Sequence, residues 1–154
     1  MVSSSVAERE SLTRAQPGKP VGFLTIPAIG LERVPIYERG LNSRREMLIA
    51  PGPSVTHYAF SSPLGGGSNA VLYAHDDIEG AVFVRLSELR AGDTITLETD
   101  GGRTSSYVVG GPPWVVRPDA VRILARSARP ELTLFTCYPN HVDTARVVVV
   151  AVPQ

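Results

Sequence analysis

Residues 131–152 read ELTLFTCYPNHVDTARVVVVAV. The run ELTLFTC is apolar and β-branched up to Cys137, the single cysteine of the chain, and a Tyr-Pro turn then breaks it. The second run, ARVVVVAV, is nonpolar enough to be a central strand. One strand therefore ends in a thiol and the other opens on Arg146. Cys137 has three readings on these grounds alone: a buried small hydrophobe, half of a metal site, or a nucleophile.

The remainder of the chain is also β-rich. Short apolar runs alternate with Gly, Pro and Asp/Asn, the pattern of an all-β barrel or sandwich. GFLTIPAIGLERVPIYE gives two extended segments around the Ile29-Gly30 turn. DTITLETD alternates, with Ile95 and Leu97 on one face, and the DGG that follows signals a hairpin. NAVLYAHDD reads as a buried strand ending in polar residues. In RTSSYVVGGPPWVV the Gly-Gly-Pro-Pro break bends the strand or ends its pairing. NSRREMLIAP accommodates a short helix capped by Asn42 or Ser43 and stopped by Pro51. AVFVRLSELRAGD accommodates a helical turn or two, with Val82, Leu86 and Leu89 at helical spacing. SSPLGGGSN is a loop by composition.

Bulk properties bound the function classes. With 154 residues, 43% hydrophobic and 19% charged, the chain suits one globular domain that needs no staples. Its formal net charge of zero offers no basic surface for nucleic acid or anionic membrane. One cysteine makes no internal disulfide. Residues 1–20 are polar, close on Pro17, Gly18 and Pro20, contain no signal-peptide apolar region, and read as a flexible arm or linker. Residues 21–154 are the expected domain. No apolar run is long enough to span a bilayer.

A third chemical group joins the thiol and the guanidinium: His75, directly after the apolar AVLYA. An imidazole stabilises a thiolate and protonates a leaving amine, and a guanidinium holds a carbonyl oxygen as it gains charge. The ordered set of His75, TLFTC (Thr133–Cys137) and Arg146 resembles the sortases, cysteine transpeptidases of the Gram-positive cell surface, whose signature is TLxTC. LTIPAIGLERVPIY is similar to the family's first two strands, and PGPSVTHYAFSSPLGGGSNAVLYAHDD to its approach to the catalytic histidine. Ala74 stands where the family commonly has glycine. AHDDIEGAVFVRLSEL looks closest to class D and related sortases, and the large helical insertion of class B is missing.

The resemblance implies an eight-stranded β-barrel with one or two short helices and the site at one end. It implies that Cys137 attacks the Thr carbonyl of an LPxTG-like sorting motif, with His75 as general acid and base and Arg146 as oxyanion or substrate clamp. Thr136 would help orient substrate and the Tyr138 N–H would be a second oxyanion donor. No cofactor or metal is implied. The implied partners are motif-bearing surface proteins and a peptidoglycan or pilin amine, at an extracytoplasmic cell surface, with a native membrane anchor outside this chain.

Rival readings are a hydrolytic relative of the same chemistry, a non-catalytic peptide-binding barrel, and a zinc site built from Cys137, His141, His57 and His75. His57 suits loop packing or hydrogen bonding. Trp114 suits a core plug better than a groove wall. Arg117, Arg122, Arg126 and Arg129 read as a solvated face bordering the groove. Asp76 and Asp77 suit a strand-end polar cap as well as tuning of His75 or calcium binding.

Overall fold

Alternation of buried and half-buried residues starts with β1 (Gly22–Ile26), which turns Gly22, Leu24 and Ile26 inward. A 3-10 turn at Pro27–Ile29 closes on Gly30 in the left-handed conformation, φ 74°, and returns the chain as β2 (Leu31–Arg39). The computed structural model describes residues 18–74, 82–99, 101–117, 119–137 and 146–154. The remaining strands are β3 (Val55–Tyr58), β4 (Asn69–Tyr73), β5 (Thr94–Thr99), β6 (Thr104–Val109), β7 (Trp114–Val116), β8 (Glu131–Cys137) and β9 (Arg146–Pro153).

The sheet order is β6-β5-β1-β2-β3-β4-β8-β9-β7, and β6 also pairs with β9. Eight strands thus close into a barrel, which removes the free edges of an open sheet. The pairing is mixed: β2 with β3 and β4 with β8 run parallel, the others antiparallel. The Gly-Gly-Pro-Pro break splits one run into β6 and β7, and both halves lie along β9. Tyr107–Val109 pair with Ala151–Pro153, while Trp114–Val116 pair with Arg146–Val148.

The barrel interior holds Leu24, Ile26, Ile36, Leu72, Ile95, Leu97, Leu132, Leu134, Val147 and Val149. Val82, Phe83, Leu86 and Leu89 close that interior. A second apolar layer lies outside the barrel wall on Val71, Tyr73, Val116, Phe135 and Val148, packed by Met47, Ile49, Tyr58, Ile123 and Leu124. Hence β4 is buried at every position, and so is β8 from Leu132 to Thr136. A strand covered on both faces reads as an unbroken apolar run, as NAVLY and LTLFT do.

The expected short helices reduce to 3-10 turns. Among the described residues these are Pro27–Ile29, Leu86–Glu88 and Val121–Leu124. Val82, Leu86 and Leu89 do face the core together, but over a single 3-10 turn. NSRREM forms no helix. Asn42 Oδ1 accepts the N–H groups of Arg44 and Glu46, at 2.8 and 3.0 Å, and Arg45 turns left-handed at φ 64°. That stretch has no apolar stripe to bury, so its capping residue closes a turn beneath the Leu41–Met47 bridge. Trp114 is no core plug. It is 42% exposed on β7, a short strand that lies outside the closed ring and pairs only with β9.

Gly22 shows how close the wall strands come. A Cβ there would sit 2.6 Å from the Glu98 carbonyl oxygen on β5, a backbone atom that cannot swing away. Gly22→Ala is expected to cost about 2 kcal/mol or more in denaturant unfolding. Gly111→Ala, where an added Cβ meets nothing within 4 Å, is the control expected to stay within about 0.5 kcal/mol of the parent.

Candidate active site

Strand direction brings the end of β8 and the start of β9 together. In the antiparallel β8–β9 pair Cys137 lies directly opposite Arg146, the last partners of that ladder. In the parallel β4–β8 pair Tyr73 lies beside Phe135. One residue further along, Thr136 Oγ1 donates to the Ala74 carbonyl at 2.6 Å, and Thr136 is buried. Ala74 is the residue immediately before His75 in the chain. The Thr of TLFTC therefore ties the end of the thiol-bearing strand to the segment that leads into the histidine. His75, Asp76, Asp77, Tyr138 and His141 lie outside the described residues.

A groove of about 320 Å³ runs over the outer wall. Leu41, Arg45, Met47 and Tyr58 line it along with Ala120, Val121, Ile123, Leu124, Phe135 and Arg146. Phe135, which lines it, stacks on the buried Tyr73, ring centroids 5.2 Å apart. Register fixes its extent. Tyr58 follows His57, the partner of Leu72, and Leu72 is the partner of Leu134, three residues before Cys137. Three strand spacings and four residue rises give roughly 19 Å from Tyr58 to Arg146, the span of about six extended residues. The groove is lined mostly by apolar side chains, with Arg45 and with Arg146, the register partner of Cys137, as its charged members.

One wall is the turn Val121–Leu124 with Ala120, and its anchor is a residue the sequence did not mark. Asn69, buried, donates through Nδ2 to the carbonyls of Ile123 and Ala125, both at 3.0 Å, and accepts from Thr133 Oγ1 at 2.6 Å. Next to it Ser68 Oγ donates to the Ser127 carbonyl and accepts the Ser127 N–H, each at 2.9 Å. The signal available was an Asn starting an otherwise apolar strand, which in a buried position needs partners for all its polar atoms. Arg117, Arg122, Arg126 and Arg129 are all exposed around this wall, the solvated face expected of them.

His57 sits on β3 rather than in a loop, and it is 2% exposed. Its Nδ1 faces Glu38 Oε2 at 3.1 Å and its Nε2 faces the Ser62 carbonyl at 2.8 Å. Ser61 gives its own proton to the Tyr58 carbonyl, so Nε2 is the donor toward Ser62. The ring is thus committed to hydrogen bonding, the role expected of it. Among the described residues no cluster of three or more His, Cys, Asp or Glu could hold a metal ion, and no helix is long and apolar enough to cross a membrane.

Beneath the groove Tyr73 donates its hydroxyl to the Leu48 carbonyl. Burial, with some help from neighbouring Tyr58, pushes that hydroxyl above its ordinary value, against the opposing pull of Arg39. Burial likewise holds the Arg39 guanidinium below its ordinary value.

The pattern of strands and site residues matches one family. The sortase domain model matches residues 24–154, and the chain belongs to the sortase family. That family comprises transpeptidases of the cell surface that join surface proteins to wall or pilin amines. No curated protein matches the chain. Among solved structures, sortase E1 from Streptomyces coelicolor, with a tripeptide in its active site, superposes at a TM-score of 0.73 with 25% identity, covering 90% of each chain. Sortase C-1 from Actinomyces oris gives 0.70 with 28% identity, over 97% of this chain and 82% of that one. The pilus-related sortase C of Group B Streptococcus gives 0.71 with 26% identity, over 89% and 68%. These three belong to classes E and C, whereas the stretch after Tyr73 looks closest to class D.

Two outcomes follow for the scaffold. Asn69→Ala removes three buried hydrogen bonds and is expected to cost about 2–4 kcal/mol in denaturant unfolding, with faster hydrogen exchange across residues 121–127. For Tyr73 the fold favours the protonated form. Its contribution is complete below the unfolded-state value of about 10 and is lost as pH rises above it. Unfolding free energy should therefore fall with rising pH above about 10, and less steeply in Tyr73→Phe, as followed by urea titrations at each pH.

Proposed function

We propose that this sortase is a cysteine transpeptidase that cleaves an LPxTG-like sorting motif after its Thr and passes the acyl group to an amine. The observation that carries this reading is the β8–β9 register: the residue of the only thiol stands opposite an arginine that lines a mostly apolar groove. The Cys137 thiolate attacks the Thr carbonyl carbon. Arg146 holds the oxygen as it gains charge, with the Tyr138 N–H as second donor. As the tetrahedral adduct collapses, His75 gives its proton to the departing amine and the C–N bond breaks, leaving a thioester on Cys137. An incoming amine then attacks the thioester, loses a proton to His75, and releases the thiolate.

Thr136 helps to orient substrate through the strand ends it fastens. Its hydroxyl holds the Ala74 carbonyl, so the segment leading into His75 keeps its alignment with Cys137. With ordinary values of about 8.5 for Cys and 6.5 for His, the thiolate–imidazolium pair is only about 1% as populated as the neutral pair, and slow turnover follows. The substrates are motif-bearing surface proteins, the acceptors peptidoglycan or pilin amines, and the place of action is the outer cell surface. Hydrolysis is the same route with water as acceptor.

Intact-mass spectrometry with LPxTG-, LPxTA- and LAxTG-type peptides, with and without an amine, tests this reading. The expected result is a thioester adduct on Cys137 that an amine converts to joined product. Cys137→Ala should abolish the adduct and His75→Ala should nearly do so. Arg146→Ala should slow acylation by roughly 10²–10³-fold. Tight binding of these peptides by both the parent and Cys137→Ala, with no adduct on the parent, would instead support the non-catalytic barrel.

A further inference from the structure

The groove carries a charge that acyl transfer does not use. Arg45 lines it along with Leu41, Met47 and Tyr58. Leu41 comes two residues after Arg39, and Arg39 is the β-partner of Tyr58, which fixes this turn to the Tyr58 side of the groove. Two arginines line the groove, and among its described lining residues there is no carboxylate. Glu46, beside Arg45 in the chain, is not among the lining residues, and its Oε1 accepts from Asn42 Nδ2 at 2.9 Å.

The turn that presents Arg45 is built tightly. Asn42 N–H donates to the Glu46 carbonyl at 2.9 Å, and the Arg45 N–H donates to the Asn42 carbonyl at 3.0 Å. Asn42 Oδ1 takes the Arg44 and Glu46 N–H groups, and Leu48 N–H returns to the Gly40 carbonyl at 3.0 Å. Within it Arg45 occupies the left-handed region at φ 64°, where a glycine would be unstrained. A left-handed arginine in a hydrogen-bonded turn, lining a mostly apolar groove with no carboxylate among its described lining residues, suits a groove that recognises charge.

We propose that Arg45 is a specificity residue that selects peptides carrying an Asp or Glu carboxylate about five residues from the reacting carbonyl, the distance set by the groove length. This rests on the peptide-acylation reading above. Arg45 is exposed, so the selection is modest and electrostatic. It enters through capture of the peptide and weakens with salt.

The test is acylation of full-length protein by peptides in which Asp, Asn or Lys is walked through each position flanking the Thr. Initial rates at low peptide concentration give kcat/KM. At one position about five residues from the Thr, the parent is expected to favour Asp over Asn by about two- to fivefold at low salt, and less at about 0.5 M salt. In Arg45→Gly, which keeps the left-handed turn unstrained, that Asp-to-Asn ratio should fall to about one. Arg45→Lys should retain it, and Arg45→Glu should invert it in favour of Lys. An unchanged ratio in Arg45→Gly and Arg45→Glu, with acylation still measurable, overturns the role of Arg45 and leaves the proposed function standing. Absence of acylation by every peptide overturns both.

Discussion

The working end of this barrel depends on one register, the antiparallel pairing of β8 with β9. Six residue pairs run from Leu132–Ala151 to Cys137–Arg146. Because side chains alternate with a period of two, a slip of β8 by a single residue would swap its inner and outer faces. Leu134 would leave the barrel interior, and Phe135 would leave the outer layer. Both faces are apolar here, so hydrophobicity alone specifies this register weakly. The polar buried groups specify it: Thr133 must meet Asn69, and Thr136 must meet the Ala74 carbonyl. A misregistered strand leaves those groups unpaired in the interior, at a cost of about 1–3 kcal/mol each.

The same polar contacts join the fold to the groove. Asn69 bonds at once to a strand neighbour and to the carbonyls of the groove wall. The wall therefore rests on the β4–β8 pair that also carries the stacked Tyr73 and Phe135. The groove and the strand ends bearing Cys137 and Arg146 consequently share one strand framework, with the turn and loop backbone of the groove held to it by hydrogen bonds. Loops fixed to a scaffold in this way are where binding residues usually stand.

Much of this was legible in the chain, and the failures have physical causes. ELTLFTC and ARVVVVAV announced themselves as strands because two-sided burial leaves an unbroken apolar run. The split of β6 from β7 was written in Gly110–Pro113, which cannot continue a ladder. The short β3 was not legible. VTHY pairs parallel to β2 and antiparallel to β4, and its two middle positions are Thr and His, which carry no apolar period. NSRREM misled because Asn42 caps a turn with the same side-chain bonds it would use at a helix start. Cys137 and Arg146 were legible as types, but their adjacency is a property of the register, and the anchoring by Asn69 is a tertiary contact across more than fifty residues. Trp114 failed because composition cannot tell an inner strand from one added outside a closed ring.

The central claim is that a peptide bound along the outer wall brings its carbonyl to the thiol beside Arg146. The most direct measurement is a crystal structure of the protein with a sorting-type peptide analogue joined to Cys137 through a disulfide at the position of the Thr carbonyl. The account predicts an extended peptide over Phe135, flanked by Ala120, Val121, Ile123, Leu124 and Tyr58, with the Arg146 guanidinium about 3 Å from the group that replaces the carbonyl. A peptide lying outside that groove, or an Arg146 turned away from the linked group, would contradict it.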